Sequence, residues 1–327
     1  MAYSPASTVT TTGSLTHLAT IHYDAVAVEN FKANTAFYEA CEKRQLPQRA
    51  GLTTQLFGYS VFAANTTPGT EGTVGNGIAP TTVTRSVSLN QYFDFISFSD
   101  LLVETAIDDI VENSAAEMGY RAALTVNTLT STEFENAAGV AGTSIDLADN
   151  EFFNAAVARQ AVMSLRGQNV KPKADGMFDG LIHPFVAFDL VNDNTAGGVI
   201  DILKHVDSGV NAMQRGIQGF RVIELAGVRW IETTAVPTYS NYPSAGKTGY
   251  ASYVVGKDAI FAVSLENTMI PGEKNFQLIV KTYRDGSVAD PANIIRASVA
   301  YNFKFAAIRR PGAVMGLRRV RNEASIS

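Results

Sequence analysis

Residues 51–98 constrain this chain more than any other segment. Two stretches there, 51–64 and 83–98, have the alternation of strands: Leu52, Thr54 and Leu56 share one side of the first, and Val83, Arg85, Val87 and Leu89 recur in the second. Residues 65–82 between them hold Pro68, Gly69, Gly72, Gly75, Gly77 and Pro80. The pattern predicts a long two-stranded hairpin with a turn-rich tip. Charge is nearly missing from it: Glu71, Arg85 and Asp94 are its charged residues, and it has no lysine. A lone two-stranded hairpin is marginal in water, and a long, poorly charged one presents bare backbone edges that invite aggregation. Either the parent domain folds over this hairpin or another subunit does.

The segments on either side are ordered around it. Residues 1–50 read as an arm, with a polar leader containing Thr8 and Thr10, followed by a helix over 24–44 that ends at Leu46-Pro47. Ser99-Asp100 is placed to cap a helix of about 30 residues, about 45 Å long at 1.5 Å per residue. Its stripe is Leu102, Ala106, Ile110, Val111, Ala115, Met118 and Ala122, with no proline before Phe134. A helix of that length is a structural spine. A second helix is expected over 151–166 and a strand over 179–183, with Pro184 at the first position of a helix over 185–192. From Phe220 onward short strands are expected at 221–225, 228–233, 253–255, 261–265, 276–283 and 294–308. The order indicates an α+β chain with a β-rich C-terminal third.

Composition sets the class. Hydrophobic residues make up 46% of 327 and charged residues 17%, the latter below the usual share of about 25%. The chain can bury a real core, which excludes disorder as its overall state. Residues 291–327 carry seven basic groups against Glu323, so this end is cationic on a chain whose net charge is −5. Such an end can contact nucleic acid or match charge on a partner, or it can simply be solvated. The candidates for DNA or partner contact are Arg309, Arg310, Arg318, Arg319 and Arg321. Residues 1–20 show no basic n-region and no apolar run, so neither a targeting segment nor a membrane span is expected, and a reducing, cytoplasmic setting follows.

No catalytic constellation is expected. Cys41, the one cysteine, stands among Glu39, Glu42, Lys43 and Arg44 with no histidine nearby, and reads as an inert thiol. Gly246-Lys247-Thr248 has the end of a phosphate-binding loop, but Asn241 occupies the place of the required first glycine, so a surface loop is expected. Asp108 and Asp109 are adjacent, and neighbours on a helix point apart. His183 before Pro184 reads as a hydrogen-bonded structural histidine, and His17, His22 and His205 lack metal-ligand spacing. Metal and cofactor are accordingly expected to be none.

Several short segments, in order, resemble a known family. Tyr23-Asp24 with residues 26–30, residues 43–47 (KRQLP), Thr70-Glu71-Gly72, Gln91-Tyr92, Ser99-Asp100 and residues 105–108 (TAID) lead into the spine. Ile182-His183-Pro184, residues 227–233 (GVRWIET), residues 255–259 (VGKDA), Ala289-Asp290-Pro291 and Lys304 follow. Together they resemble the Hong Kong 97-type capsid fold of tailed bacteriophages, nearest to the major capsid proteins of podophages like phage N-four. Asn127, where that family often has an acid, and the loop 239–247 depart from the pattern.

The resemblance implies an arm (1–50), an extended hairpin loop (51–98), a peripheral domain with the spine helix (99–178), an axial domain (179–270), and peripheral return strands with the basic end (271–327). It implies a non-enzymatic subunit that forms the hexamers and pentamers of an icosahedral shell around double-stranded DNA, in the virion capsid, after assembly in the host bacterial cytoplasm. The hairpin would lie on an adjacent subunit, with Leu56, Phe57, Glu71, Arg85, Leu89 and Tyr92 as interface candidates. Implied partners are further copies of the chain, a portal protein, a separate scaffolding protein, a cement or decoration protein and DNA bound without sequence preference; no membrane is involved. The fold's known covalent cross-link uses a hairpin lysine, which residues 51–98 lack, so shell stability is expected to be non-covalent. An encapsulin-like compartment and, more remotely, a small-molecule enzyme are the alternatives.

Overall fold

The structure, a computed structural model, describes residues 35–47, 49, 51–59, 62–69, 71–72, 77–107, 109–139, 144–173, 176–193, 195, 198, 222–265, 279–285, 295–311 and 316–325. A short helix α1 (Ala36–Ala40) leads through extended Cys41 into β1 (Glu42–Leu46). β2 (Thr53–Tyr59), β3 (Thr82–Ser88) and β4 (Asn90–Ser99) follow, then α2 (Asp100–Thr105) and the spine α3 (Ile110–Ala138). Next come β5 (Ser144–Asp146), α4 (Ala155–Gly167), β6 (Phe178–Ile182) and α5 (Pro184–Val191). The rest is strand: β7 (Val222–Leu225), β8 (Val228–Glu232), β9 (Thr238–Ser240), β10 (Thr248–Val255), β11 (Ile260–Leu265), β12 (Ile279–Asp285), β13 (Ile295–Arg309) and β14 (Leu317–Glu323).

Two sheets flank the spine. The first runs β1-β11-β13-β12, with β4 on β13 beyond the end of β11. The second runs β5-β14-β10-β6-β8-β7, with β9 on β10. β2 and β3 form a separate ribbon. The spine's apolar stripe, Val111, Ala115, Met118, Ala122, Val126 and Phe134, is buried along one helical face. Asp109 starts it by accepting hydrogen bonds from the Val111 and Glu112 N–H groups, both at 3.1 Å. Phe37, Phe134 and Tyr253 meet edge to face with centroids 5.1–5.8 Å apart, tying α1, α3 and β10 into one core. A second core lies under α4 and α5, where Trp230 packs on Phe153. Gly180 permits that packing, since a Cβ there would stand 2.3 Å from the Trp230 ring.

The structure differs from the sequence reading at four places. The hairpin is shorter than 51–98: β2 pairs with β3, whereas β4 leaves to pair with β13 from Asn90 to Ser99. Within the described part of the expected helix 24–44, only Ala36–Ala40 is helical, and residues 42–46 pair in parallel with Phe261–Leu265. A waiting strand edge overrides the helical spacing there, although Glu39 and Lys43 still pair at 3.4 Å; residues 24–34 lie outside the described residues. Ser99 caps the six-residue α2, not the spine, because Ala106 turns extended and Asp109 opens a new helix. β14 lies where no strand was expected and belongs to the second sheet. β11 lies in the first sheet, whereas β14 lies in the second.

Candidate assembly surface

The surface left uncovered begins at β4. Tyr92, Asp94, Ile96 and Phe98 point inward, where Tyr92 stacks on Phe303 at 5.6 Å and Asp94 pairs with Arg121 of the spine at 2.6 Å. Alternation then turns Phe93 and Phe95 outward, and they are 68% and 65% exposed. They sit across from Asn302 and Ala300 of β13, on the face of the first sheet opposite the spine. α2 continues the surface with no buried residue of its own, exposing Leu101 and Leu102, and Ile107 follows fully exposed. The ribbon adds Phe57 and Tyr59 on the side where Gln55, Thr84 and Ser86 give no cover. Exposed apolar side chains are thus gathered on β4, α2 and the ribbon.

The hairpin's other face belongs to the chain's own core. Leu56 and Leu89 are 5% and 6% exposed and pack with Leu46, Phe261, Val263, Ala306 and Ile308. Gly58 leans on Pro311, whose carbonyl oxygen a Cβ would meet at 3.0 Å. Of the six interface candidates, Leu56 of β2 and Leu89, between β3 and β4, pack within the chain on the first sheet, and Tyr92 of β4 packs partly buried toward the spine. Phe57 and Glu71 are exposed, and Arg85 is half-buried. The sequence reading missed Phe93, Phe95 and Leu101. The signal was present: residues 92–98 are apolar on both strand faces, which a strand buried on one side does not need.

The basic end makes contacts within the chain. Arg319 is 8% exposed and pairs with Glu135 of the spine at 2.7 Å. Arg321 holds Asp146 through two hydrogen bonds of 2.7 and 2.6 Å, and this pairing lowers the Asp146 carboxyl from 3.8 to about 2. Arg318 donates to Ser164 Oγ, and Arg309 donates to the Asn136 carbonyl at the spine's end. Four of the five arginines are therefore engaged inside the chain, because they lie on paired strands; Arg310 is the exposed one.

Chemistry-bearing side chains have structural partners. Lys247 bridges Asp149 and Glu323, the latter at 2.8 Å, and so fastens its loop rather than awaiting a phosphate. His183 accepts from the Phe185 N–H at 3.2 Å to cap α5, and its ring lies 4.4 Å from that of Tyr250; burial lowers its pKa. Asp193 accepts from Ala155 N, and Asp189 from Ser325 N. Cys41 is buried, donates to the Phe37 carbonyl, and is pushed up to about 12 by that burial. Among the described residues no three His, Cys, Asp or Glu side chains converge to hold a metal, and no helix is long and apolar enough to cross a membrane.

No protein-family model matches the sequence, and no curated protein matches it. Solved structures do. The capsid of Ralstonia phage GP4 superposes with a TM-score of 0.64 at 13% identity, over 88% of this chain and 87% of that one. The capsid asymmetric unit of cyanophage Pam1 gives 0.64 at 10% identity, over 90% and 93%. A virus-like particle from Pyrococcus furiosus gives 0.50 at 8% identity, over 91% and 97%. With likeness to capsid structures over nearly the full length of both chains, the chain has the Hong Kong 97-type fold of phage capsid proteins.

Proposed function

We propose that this chain is a phage major capsid subunit, which assembles with copies of itself into the hexamers and pentamers of an icosahedral shell around double-stranded DNA. The carrying observation is that a capsid fold exposes Phe93, Phe95, Leu101 and Phe57 in one subunit. The first sheet with the spine supplies the peripheral part of the shell, and the second sheet the axial part. Portal, scaffolding and decoration proteins are the partners such a shell needs, assembly takes place in the host cytoplasm, and the chain is not an enzyme. The net charge of −5 limits adhesion of packaged DNA to the wall. Expression of the chain, alone and with its scaffold, followed by electron microscopy of the sedimenting fraction, tests the reading: closed shells of uniform size support it, and a monodisperse monomer at high concentration overturns it.

A compartment that houses protein is the second reading, favoured by the likeness to the Pyrococcus furiosus particle. The contents of purified native particles separate the two: nuclease-sensitive DNA supports the first, and a co-purifying protein with no nucleic acid supports the second.

A further inference from the structure

Where the hairpin, the spine and β13 meet, a cleft of about 350 Å3 opens between Arg85 and Val87 of β3, Glu133 and Asn136 of α3, and Ile308 and Arg309 of β13. Its charges do not cancel. Glu133 Oε1 accepts the Arg309 backbone N–H at 3.2 Å and faces that residue's guanidinium at 4.0 Å, so these two neutralise each other. Arg309 also donates to the Asn136 carbonyl, which offsets the negative end of the spine. Arg85 has no ion pair among the described residues, although it is half-buried. Arg309 Nε, the atom that faces Glu133, is itself buried without a hydrogen-bond acceptor. A concave site with the surplus guanidinium of Arg85 suits a carboxylate.

The chain itself carries one such group in an unusual setting. From residue 51 to residue 84, Glu71 is the only charged side chain, it is exposed, and it stands midway along the connection from Tyr59 to Thr82. The ribbon runs from the Leu56↔Arg85 pair outward to Tyr59↔Thr82, so it carries the tip away from its own cleft. We infer that the Arg85–Arg309 cleft is the receptor for Glu71 of a second copy of this chain, so that each hairpin tip docks at the base of another's hairpin. The inference rests on the shell reading and names one contact that builds it. Charge complementarity selects the occupant: a single acid on an otherwise uncharged extension can find one register only.

Two variants test it, Glu71→Cys and Asn136→Cys, the second at the rim of the cleft; native Cys41 is buried and does not compete. The two are purified separately, mixed, assembled and mildly oxidised. Reducible dimers holding one chain of each kind, identified by mass, are expected in particles and absent from unassembled mixtures. In parallel, Arg85→Glu or Glu71→Arg alone is expected to lower particle yield about tenfold, and the charge-swapped pair to restore it to within about twofold, since a small deficit per contact multiplies over a shell. Should Arg85→Glu fail to fold, the cross-link remains decisive. Normal particles with no mixed dimer, or with tip-to-tip dimers only, overturn the docking and leave the shell standing. Failure of the unmodified chain to form particles overturns both.

Discussion

At Leu89 and Phe57, residues of one hairpin, burial decides two opposite outcomes. Leu89 is 6% exposed within an intramolecular cluster, whereas Phe57 on the ribbon's other face is 63% exposed. Leu89→Ala is expected to cost about 2–4 kcal/mol of subunit stability, and Leu89→Asp, which buries a charge, is expected to prevent folding. Phe57→Asp should change the unfolding free energy of the isolated subunit by less than about 0.5 kcal/mol and abolish particles. Denaturation curves beside sedimentation profiles check both. A third residue adds a pH window. Arg321 holds Asp146 depressed from 3.8 to about 2, so the pair's stabilisation is complete above pH 4 and is lost as pH falls through about 2. The stability gap between the native chain and Arg321→Gln should be about 1 kcal/mol or less at pH 6, given the pair's partial exposure, and should close toward pH 2; urea titrations at several pH values measure it.

Among the elements, the ribbon is separable from the body. Tyr59 is paired with Thr82, so a two-residue Asn-Gly turn in place of residues 60–81 preserves the ladder and keeps Leu56 in its cluster. The expected product is a folded subunit that stays unassembled, read by circular dichroism and electron microscopy; normal shells from it would remove the tip from the mechanism. Elements of this kind were legible in the sequence where the local pattern and the packing agree. The β2–β3 ribbon, the α3 stripe and Pro184 at the start of α5 all follow from local spacing. β1 and β14 were hidden because long-range pairing decides them: β1 lies against β11, some 220 residues away, and β14 against β10. A run such as Leu317–Glu323, with three arginines, reads as a solvated end until Glu135 and Asp146 are known to face it. Asn127, an oddity in the sequence, proves to be a spine residue whose Oδ1 accepts the Phe37 N–H at 3.1 Å and anchors α1.

On the scale of the whole molecule, the sequence argument for assembly was too broad, and the structure narrows it. Residues 90–99 are not bare backbone, because β4 pairs with β13 throughout. What a single copy leaves unsatisfied is the outer face of β4, the surface of α2, and the hairpin beyond its Leu56–Leu89 anchor. Hydrogen exchange separates these contributions. In the isolated subunit, the α3 amides and the β4 amides bonded to β13 should exchange at the slow, global rate, while the ribbon exchanges fast. On assembly, protection should rise over residues 51–59 and 77–88 and change little in α3, because the spine is already paired within one chain. Buried apolar area should rise with it, so Phe93→Ser combined with Phe95→Ser should leave the monomer's exchange pattern intact and suppress the assembly-dependent slowing of the ribbon. If instead the ribbon of the dilute subunit is protected as strongly as the spine, the face is already covered without a neighbour, and the physical drive toward a shell must be sought elsewhere in the molecule.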